Sequence, residues 1–289
     1  MTGLAAFLGS QGAVIRVTLD RVRGSSPREA GAEMFVAERS LFGTVGGGRL
    51  EYLAVARARR MLEQGILADR MDVPLGPEIG QCCGGRVEVA LARLGHGDRR
   101  AALDRAERAR AALPLVLILG AGHVGRALAD LLQHMPVRAV LIDARSEELA
   151  LATAQVETRL TAIPESEIEA ACPGSAFVIA THDHGLDFML AEAALARGDA
   201  AYVGLIGSRT KRARFDAWMR RAGAAGTSDG LTCPMGAGLS RDKRPSVIAA
   251  CVTAEVMGAL TDGAARSPSS RRLRDADLFG DGVREGSGG

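Results

Sequence analysis

The sequence predicts an α/β protein in which an N-terminal mixed α+β domain precedes a Rossmann-like domain with a parallel sheet. Residues 115–119 (LVLIL) form a continuous apolar run, as expected for a strand covered on both faces, and a glycine-rich turn follows at once. Later apolar runs alternate with helical patterns, which favours right-handed crossovers and a parallel sheet. The first half instead carries short alternating strands separated by turns. We therefore place domains at residues 1–113 and 114–263, with a flexible tail at 264–289.

In the first domain, apolar and polar residues alternate over 13–22, which predicts a half-buried strand. A hairpin is expected next at 33–37 with 41–45, followed by a helix at 50–64. Two more strands are predicted at 71–75 and 86–94, and a second helix at 99–113. The first helix should bury one face. That face is predicted to consist of Leu53, Ala54, Ala56, Met61 and Leu62.

In the second domain, the predicted elements continue after the glycine-rich turn. A helix is expected at 124–134, strands at 137–142, 176–180 and 201–206, and a last helix at 244–260. The residues after about 264 are rich in Ser, Arg, Asp and Gly, a composition typical of a mobile tail.

Composition argues against several classes of function. The net charge of +2 and the aromatic content of 3% give no case for nucleic acid or for an acidic membrane surface. No apolar run approaches the length of a transmembrane helix, and the first residues lack the pattern of a signal peptide. The five cysteines are therefore expected to be thiols, and the protein is predicted to be cytoplasmic.

Residues 120–125 (GAGHVG) have the GxGxxG pattern of dinucleotide-binding turns. The context also fits, because a strand precedes the turn, a helix follows it, and Asp143 ends the next strand. Gly120 permits the tight turn, Gly122 lets a phosphate approach the backbone, and Gly125 allows the helix to pack closely on the strand. We predict phosphate binding here, with Asp143 as the acid for a ribose; the alternative is a scaffold that holds no nucleotide. The residues assigned to this cofactor site are Gly120, Gly122, His123, Gly125 and Asp143.

Two further polar segments follow predicted strands, where ligands bind in open α/β sheets. In residues 207–211 (GSRTK), the side chains of Ser208, Arg209 and Lys211 suit an anion. The alternative for this segment is a helix N-cap at Ser208 with a solvated basic first turn. In residues 181–184 (THDH), the spacing of the two histidines favours a polar strand end over a metal site.

The most unusual segment is 80–85 (GQCCGG), where glycines flank the adjacent thiols of Cys82 and Cys83. Their spacing disfavours the usual zinc and thioredoxin-like patterns, and adjacent cysteines could form only a strained disulfide. A soft metal ligand or a nucleophile is therefore our interpretation. The alternative is that both are small residues at a turn without chemistry.

A second glycine-rich connection, residues 43–51 (GTVGGGRLE), leads from a predicted strand into a helix. The backbone N–H groups of Gly46, Gly47 and Gly48 are predicted to form a concave site for an anion. A tight strand-to-helix connection without a ligand is the alternative. Among the other cysteines, the role of Cys233, in a loop after the last predicted strand, stays open.

Taken together, these motifs resemble the XdhC family of xanthine dehydrogenase accessory proteins and the related CoxI-type maturation factors. The similar stretches are GSSPREAGAEM, GTVGGGRLE, GQCCGG, LILGAGHVGRAL, IDAR, ATHDHGLD, VGLIGSRTK and CPMGAGL. The resemblance implies a chaperone, not an enzyme, that binds the molybdenum cofactor (molybdopterin with molybdenum). Such a protein holds the cofactor while sulfur from a cysteine desulfurase is installed, and delivers it to apo-xanthine dehydrogenase. It further implies that Cys82 or Cys83 is the molybdenum ligand.

Two other functions are compatible with the sequence. An NAD(P)-dependent oxidoreductase would use the turn and Asp143 for its nucleotide, although the chain has only Tyr52 and Tyr202 and no Tyr-x-x-x-Lys pair. A sulfurtransferase would carry a persulfide on Cys82 or Cys83. The sequence also leaves open whether the protein forms a homo-oligomer.

Overall fold

The N-terminal part of the chain is built on an antiparallel sheet. The computed structural model describes residues 3–26, 28–75, 84–222 and 228–265. The chain divides into two compact units, with the boundary between Ala109 and Arg110. The first unit contains α1 (Gly3–Ser10), β1 (Ile15–Arg23), β2 (Glu33–Val36), β3 (Leu41–Gly43), α2 (Gly48–Gln64), β4 (Ala68–Leu75), β5 (Gly85–Arg93) and α3 (His96–Ala111). Its five strands lie in the order β3-β2-β1-β5-β4, and each neighbouring pair is antiparallel.

Helix α2 covers one face of this sheet. Burial alternates along β1, because successive side chains of a strand point to opposite faces. The buried stripe of α2 consists of Leu50, Ala54, Ala58 and Met61. The predicted burial of Ala56 is wrong: it is exposed, because two residues beyond Ala54 correspond to a rotation of roughly 200° around the helix. Helix α1, which the sequence pattern did not predict, packs into a second cluster with Phe35.

The second unit is built on a parallel sheet. It contains β6 (Leu115–Leu119), α4 (His123–Leu132), β7 (Arg138–Asp143), α5 (Ser146–Ala150), β8 (Glu157–Leu160), α6 (Glu165–Glu169), β9 (Ala176–Ile179), α7 (His184–Ala196), β10 (Tyr202–Leu205), α8 (Arg209–Ala222), β11 (Leu231–Thr232) and α9 (Pro245–Ala265). Its six strands lie in the order β11-β10-β9-β6-β7-β8, and all pairs are parallel. The predicted fold class is confirmed.

Both faces of the parallel sheet are covered, as the apolar strands predict. Every residue of β6 is buried. Leu117 and Leu119 pack in a core with α6, α7 and α8. Val116 and Ile118 pack on the other face, in a core with α4 and α9. No helix in the described ranges is long and apolar enough to cross a membrane.

The strand order places a topological switch point between β6 and β9. The chain adds β7 and β8 on one side of β6 and then returns to add β9 on the other side. Ligands of open α/β sheets bind at such a point, outside the carboxyl ends of the strands. Strand β8 was not predicted, because its burial pattern alternates at the edge of the sheet. The predicted tail beyond Ala265 lies outside the described residues.

Candidate functional site: the glycine turn and its crevice

The glycine turn after β6 needs two of its glycines for packing. Gly120 has φ +115°, and a Cβ atom there would lie 2.3 Å from the carbonyl oxygen of Ala180, in the loop after β9. A Cβ atom on Gly125 would lie 1.8 Å from the carbonyl oxygen of Gly120. Any side chain at either position would therefore push the turn away from its neighbours. The two glycines therefore allow the turn to lie close against the loop after β9, at the switch point.

Gly122 differs from the other two glycines, since a Cβ atom there would meet no atom of a non-neighbouring described residue within 4 Å, and its φ is an ordinary −66°. It is the N-cap of α4, and within the described structure no side chain caps this helix end. The first N–H groups of α4 thus have no side-chain acceptor among the described residues, and an uncapped helix start favours an anion. His123 lies beside them and is exposed. Phosphate binding at this turn stays a prediction.

Asp143 lies at the end of β7 beside the turn, but its carboxylate is already occupied. Its Oδ2 accepts hydrogen bonds from the N–H of Ala121 (2.7 Å) and from Nη2 of Arg145 (3.0 Å). Its Oδ1 accepts bonds from the backbone N–H and from Nε of Arg145, both at 3.0 Å. Burial raises the pKa of this carboxyl, but the hydrogen bonds from Arg145 and Ala121 outweigh it, so the pKa is lowered overall. The predicted ribose acceptor is thus engaged with the chain itself.

A second arginine stabilises the same turn. Arg126, in the first turns of α4, donates from Nη1 to the carbonyl oxygen of Ala121 (2.6 Å) and to Oε2 of Glu148 (2.5 Å). Glu148 in turn lies 3.7 Å from Nη1 of Arg145. The turn, the end of β7 and α5 are therefore joined by one network of charged groups. The sequence analysis missed Arg126, Arg145 and Glu148, because their partners become neighbours only in the folded unit.

The crevice beside the turn is mainly apolar. It holds about 40 Å³, enough for a few water molecules or for the edge of a flat ring. Its walls come from the ends of β6, β7 and β9, from the segment after β8 and from α7. The lining residues are Leu119, Gly120, Ile142, Asp143, Ala144, Ala162, Pro164, Thr181, His182, Leu186 and Leu190.

The segment 207–211 forms a helix start whose main cation is already paired. Lys211 Nζ forms an ion pair with Oδ2 of Asp187, and the two side chains are only 11% and 1% exposed. The other oxygen of Asp187 accepts hydrogen bonds from the N–H (3.0 Å) and the hydroxyl (2.8 Å) of Thr181. Ser208 Oγ accepts a long bond of 3.4 Å from the N–H of Lys211, which favours the N-cap interpretation. Arg209 is exposed, and anion binding by its side chain stays a prediction.

The glycines at 46–48 form an N-terminal cap around a carboxylate of the chain. Oε2 of Glu51 accepts hydrogen bonds from the N–H groups of Val45 (3.3 Å) and Gly47 (3.2 Å). It also accepts a hydrogen bond from the hydroxyl of Thr44. The N–H of Gly46 bonds the Thr44 hydroxyl oxygen at 3.2 Å. An internal acceptor thus takes the place of the predicted external anion. This geometry favours the tight strand-to-helix connection and gives no support to cofactor binding by Gly46, Gly47 and Gly48.

The histidines at 182 and 184 flank a helix cap. The Asp183 side chain accepts the N–H of Leu186 at 2.8 Å, and this bond to the backbone lowers the pKa of Asp183. Both histidines are exposed. Across the described part of the chain, no three His, Cys, Asp or Glu side chains cluster as a metal site would require.

The role of the paired thiols stays a prediction. Cys82 and Cys83, the predicted molybdenum ligands, lie outside the described residues. Cys233, which follows β11, is described and partly buried, and burial raises the pKa of its thiol. A raised pKa lowers the thiolate fraction at neutral pH, which makes the Cys233 thiol a poor nucleophile or metal ligand.

The second unit therefore has the strand order and glycine turn of a Rossmann-type domain. Comparison with known families assigns it further. Residues 116–256 match the XdhC Rossmann domain, and residues 8–69 match the XdhC and CoxI family. Together the two matches cover more than two thirds of the chain, and the chain belongs to the XdhC family.

Among the proteins similar to this chain are one from Escherichia coli and one from Bacillus halodurans. The uncharacterized protein YqeB of Escherichia coli (strain K12) is 26% identical over 249 residues, which are 81% of this chain and 41% of that protein. The chain thus spans about two fifths of that relative's length. A crystal structure of a xanthine dehydrogenase from Bacillus halodurans matches with a TM-score of 0.71 and 19% identity, covering 93% of this chain and 98% of that one. At this identity, the second likeness concerns the fold alone.

Proposed function

We propose that this protein is an accessory factor for xanthine dehydrogenase that binds the molybdenum cofactor, holds it during sulfuration and delivers it to the apo-enzyme. XdhC family membership suggests the accessory role. The observation that carries the proposal further is the open approach at Gly122 to uncapped N–H groups of α4. The proposal assigns no catalytic step to the chain. It takes the sulfur source to be a cysteine desulfurase and the location to be the cytoplasm.

The described residues fit the non-metal part of this cofactor. The cofactor is a pterin that carries a terminal phosphate and a dithiolene-bound molybdenum. Helix N-termini favour phosphates, and the missing Cβ of Gly122 leaves space for one. The apolar crevice suits the edge of a flat ring. For the molybdenum, thiolates are suitable soft ligands, and Cys82 or Cys83 is our proposed ligand.

The geometry gives less support to an NAD(P)-dependent oxidoreductase. The Asp143 carboxylate, which would bind the ribose, already accepts bonds from Ala121 and Arg145. The hydroxyl of Tyr202 donates to Glu255 at 2.7 Å, and burial together with Glu255 raises the pKa of Tyr202 far above its usual value. A tyrosine held in this way is poorly suited to proton transfer at neutral pH.

The test is activation of cofactor-free xanthine dehydrogenase. The protein would be purified from cells that make molybdenum cofactor and, as a control, from cells that cannot make it. We expect urate formation only after the first preparation is added together with a sulfur donor. Equal activation by both preparations, or none by either, would rule out delivery. Mass spectrometry of the same samples would detect an added sulfur atom on Cys82 or Cys83, the signature of the sulfurtransferase alternative.

A further inference from the structure

Asp143 occupies the position where many Rossmann domains bind the hydroxyls of a ribose. Here, however, the carboxylate is buried and all its hydrogen-bonding sites are occupied. Its side chain is only 4% exposed. Each of its oxygens accepts two hydrogen bonds, which fills the approximately four lone-pair sites of a carboxylate. A ribose hydroxyl could bind it only by displacing one of these donors.

Arg145 supplies three of the four donors. Its Nε and Nη2 grip the two oxygens side by side at 3.0 Å, the paired geometry that makes arginine–carboxylate contacts strong. Its backbone N–H supplies the third bond. The Arg145 side chain is 29% exposed, whereas the carboxylate side chain that it pairs with is nearly inaccessible to solvent. Glu148 Oε1, at 3.7 Å from Nη1, holds the arginine from its other side.

We propose that Arg145 masks Asp143, so that the crevice binds a phosphate ester of a planar ring without recognising a ribose diol. The inference deepens the proposed function and rests on it in one respect, that the ligand's phosphate lies at the turn. Asp143 is then a positioning residue: through the N–H of Ala121 it holds the turn, and it makes no contact with the ligand. Arg145 is the residue that determines specificity.

The crevice walls agree with this division of roles. Ala144, Ala162, Pro164 and Leu186 offer apolar contacts to a ring edge, while the turn offers N–H groups to a phosphate. Neither the apolar walls nor the N–H groups of the turn would recognise a sugar. A ligand with a ring and a phosphate but no diol, such as a pterin phosphate, therefore loses nothing here, whereas a dinucleotide gains nothing from its ribose.

The experiment compares two probes that differ only in the diol, adenosine 5′-phosphate and 2′,3′-dideoxyadenosine 5′-phosphate, by calorimetric titration of the full chain. We expect wild type to bind both with affinities within about twofold. In Arg145→Ala the carboxylate is uncovered, and we expect a preference of about tenfold for the probe with the diol, since hydrogen bonds to charged groups are strong. The double variant Asp143→Asn with Arg145→Ala should lose that preference. A residue with a purely structural role would weaken both probes equally.

Several results would overturn the proposal. Wild type could bind the diol probe tenfold more tightly, neither probe could bind, or Arg145→Ala could show no preference. If Arg145→Ala fails to fold, Arg145→Lys is the second variant, because it keeps the charge but cannot grip both oxygens; a diol preference above twofold is then expected, and none would refute the masking. Failure of the proposed function is separate, since a chain without molybdenum could still bind the two probes equally.

Discussion

The substitution Gly122→Ala separates folding from ligand binding at the turn. The added methyl group would meet no atom of a non-neighbouring residue in the described ranges within 4 Å, and the φ of −66° suits alanine. Alanine is a poorer N-cap than glycine, so we expect a loss of about 1 kcal/mol in the free energy of unfolding. For a unit of this size, that corresponds to a melting temperature lowered by about 2–4 °C. The fold should therefore persist.

Binding should suffer much more than folding. The methyl group occupies the space through which a phosphate reaches the N–H groups of α4. Loss of one hydrogen bond to a charged phosphate costs about 1.5–3 kcal/mol. Since about 1.4 kcal/mol corresponds to tenfold in affinity, we expect pterin retention to fall by about tenfold or more.

The assay measures pterin bound after gel filtration, together with thermal unfolding of the same samples. Gly120→Ala is the contrasting variant, because its Cβ would lie 2.3 Å from the Ala180 carbonyl oxygen at φ +115°. Backbone strain alone costs about 1–3 kcal/mol there, so the main effect of Gly120→Ala should be a loss of folding stability. If Gly122→Ala retains as much pterin as wild type, the turn is not the phosphate site and the reasoning is refuted.

Three further predictions concern the groups around the turn and in the first unit. Glu51→Ala removes the cap on α2 and should lower the urea-derived unfolding free energy by about 1–2 kcal/mol; no change would contradict the capping role. Lys211→Met leaves Asp187 buried without its cation and should cost about 3–5 kcal/mol in thermal unfolding, and adding Asp187→Leu should recover part of it. The pKa of Asp143 is lowered in the folded state, so its contribution to stability is present above the unfolded pKa of about 3.9 and is lost as pH falls through the lower folded value. Asp143→Asn should accordingly be less stable than wild type at pH 6, by a margin that shrinks at acid pH; a margin independent of pH would contradict this.

The sequence predicts those helices and strands whose buried side chains form a strong apolar pattern. The continuous run of β6, the glycine turn after it and the later alternation of strands and helices were sufficient to predict the parallel sheet, whereas its strand order and switch point came only from the structure. Strand β8 has no such pattern, since it lies at the edge of the sheet and buries alternate residues only partly. Its position depends on pairing with β7, which a local pattern does not record.

The sequence predicted which residues lie at the candidate site better than it predicted the hydrogen-bond and ion-pair partners of those residues. Asp143 lies where the spacing from Gly120 places it, but its four hydrogen bonds involve Arg145 and Ala121. Lys211 and Asp187 are separated by 24 positions and meet only because β9 and β10 are neighbours. The Glu51 carboxylate fills the glycine-rich connection in a similar way. Charged groups that satisfy one another through tertiary contacts leave no periodic signal in a sequence.

The most direct test of the central claim is the molybdenum and pterin content of the protein purified from cells that make molybdenum cofactor. We predict about one molybdenum and one pterin per wild-type chain. Cys82→Ala or Cys83→Ala should lower the molybdenum while the melting temperature stays close to that of wild type. The matched control is Cys251→Ala, which changes a partly buried free thiol in α9 and should keep the metal. A wild-type chain without molybdenum and pterin would contradict the cofactor-binding account. Full metal content in both single variants and in the double variant would contradict the thiol ligand.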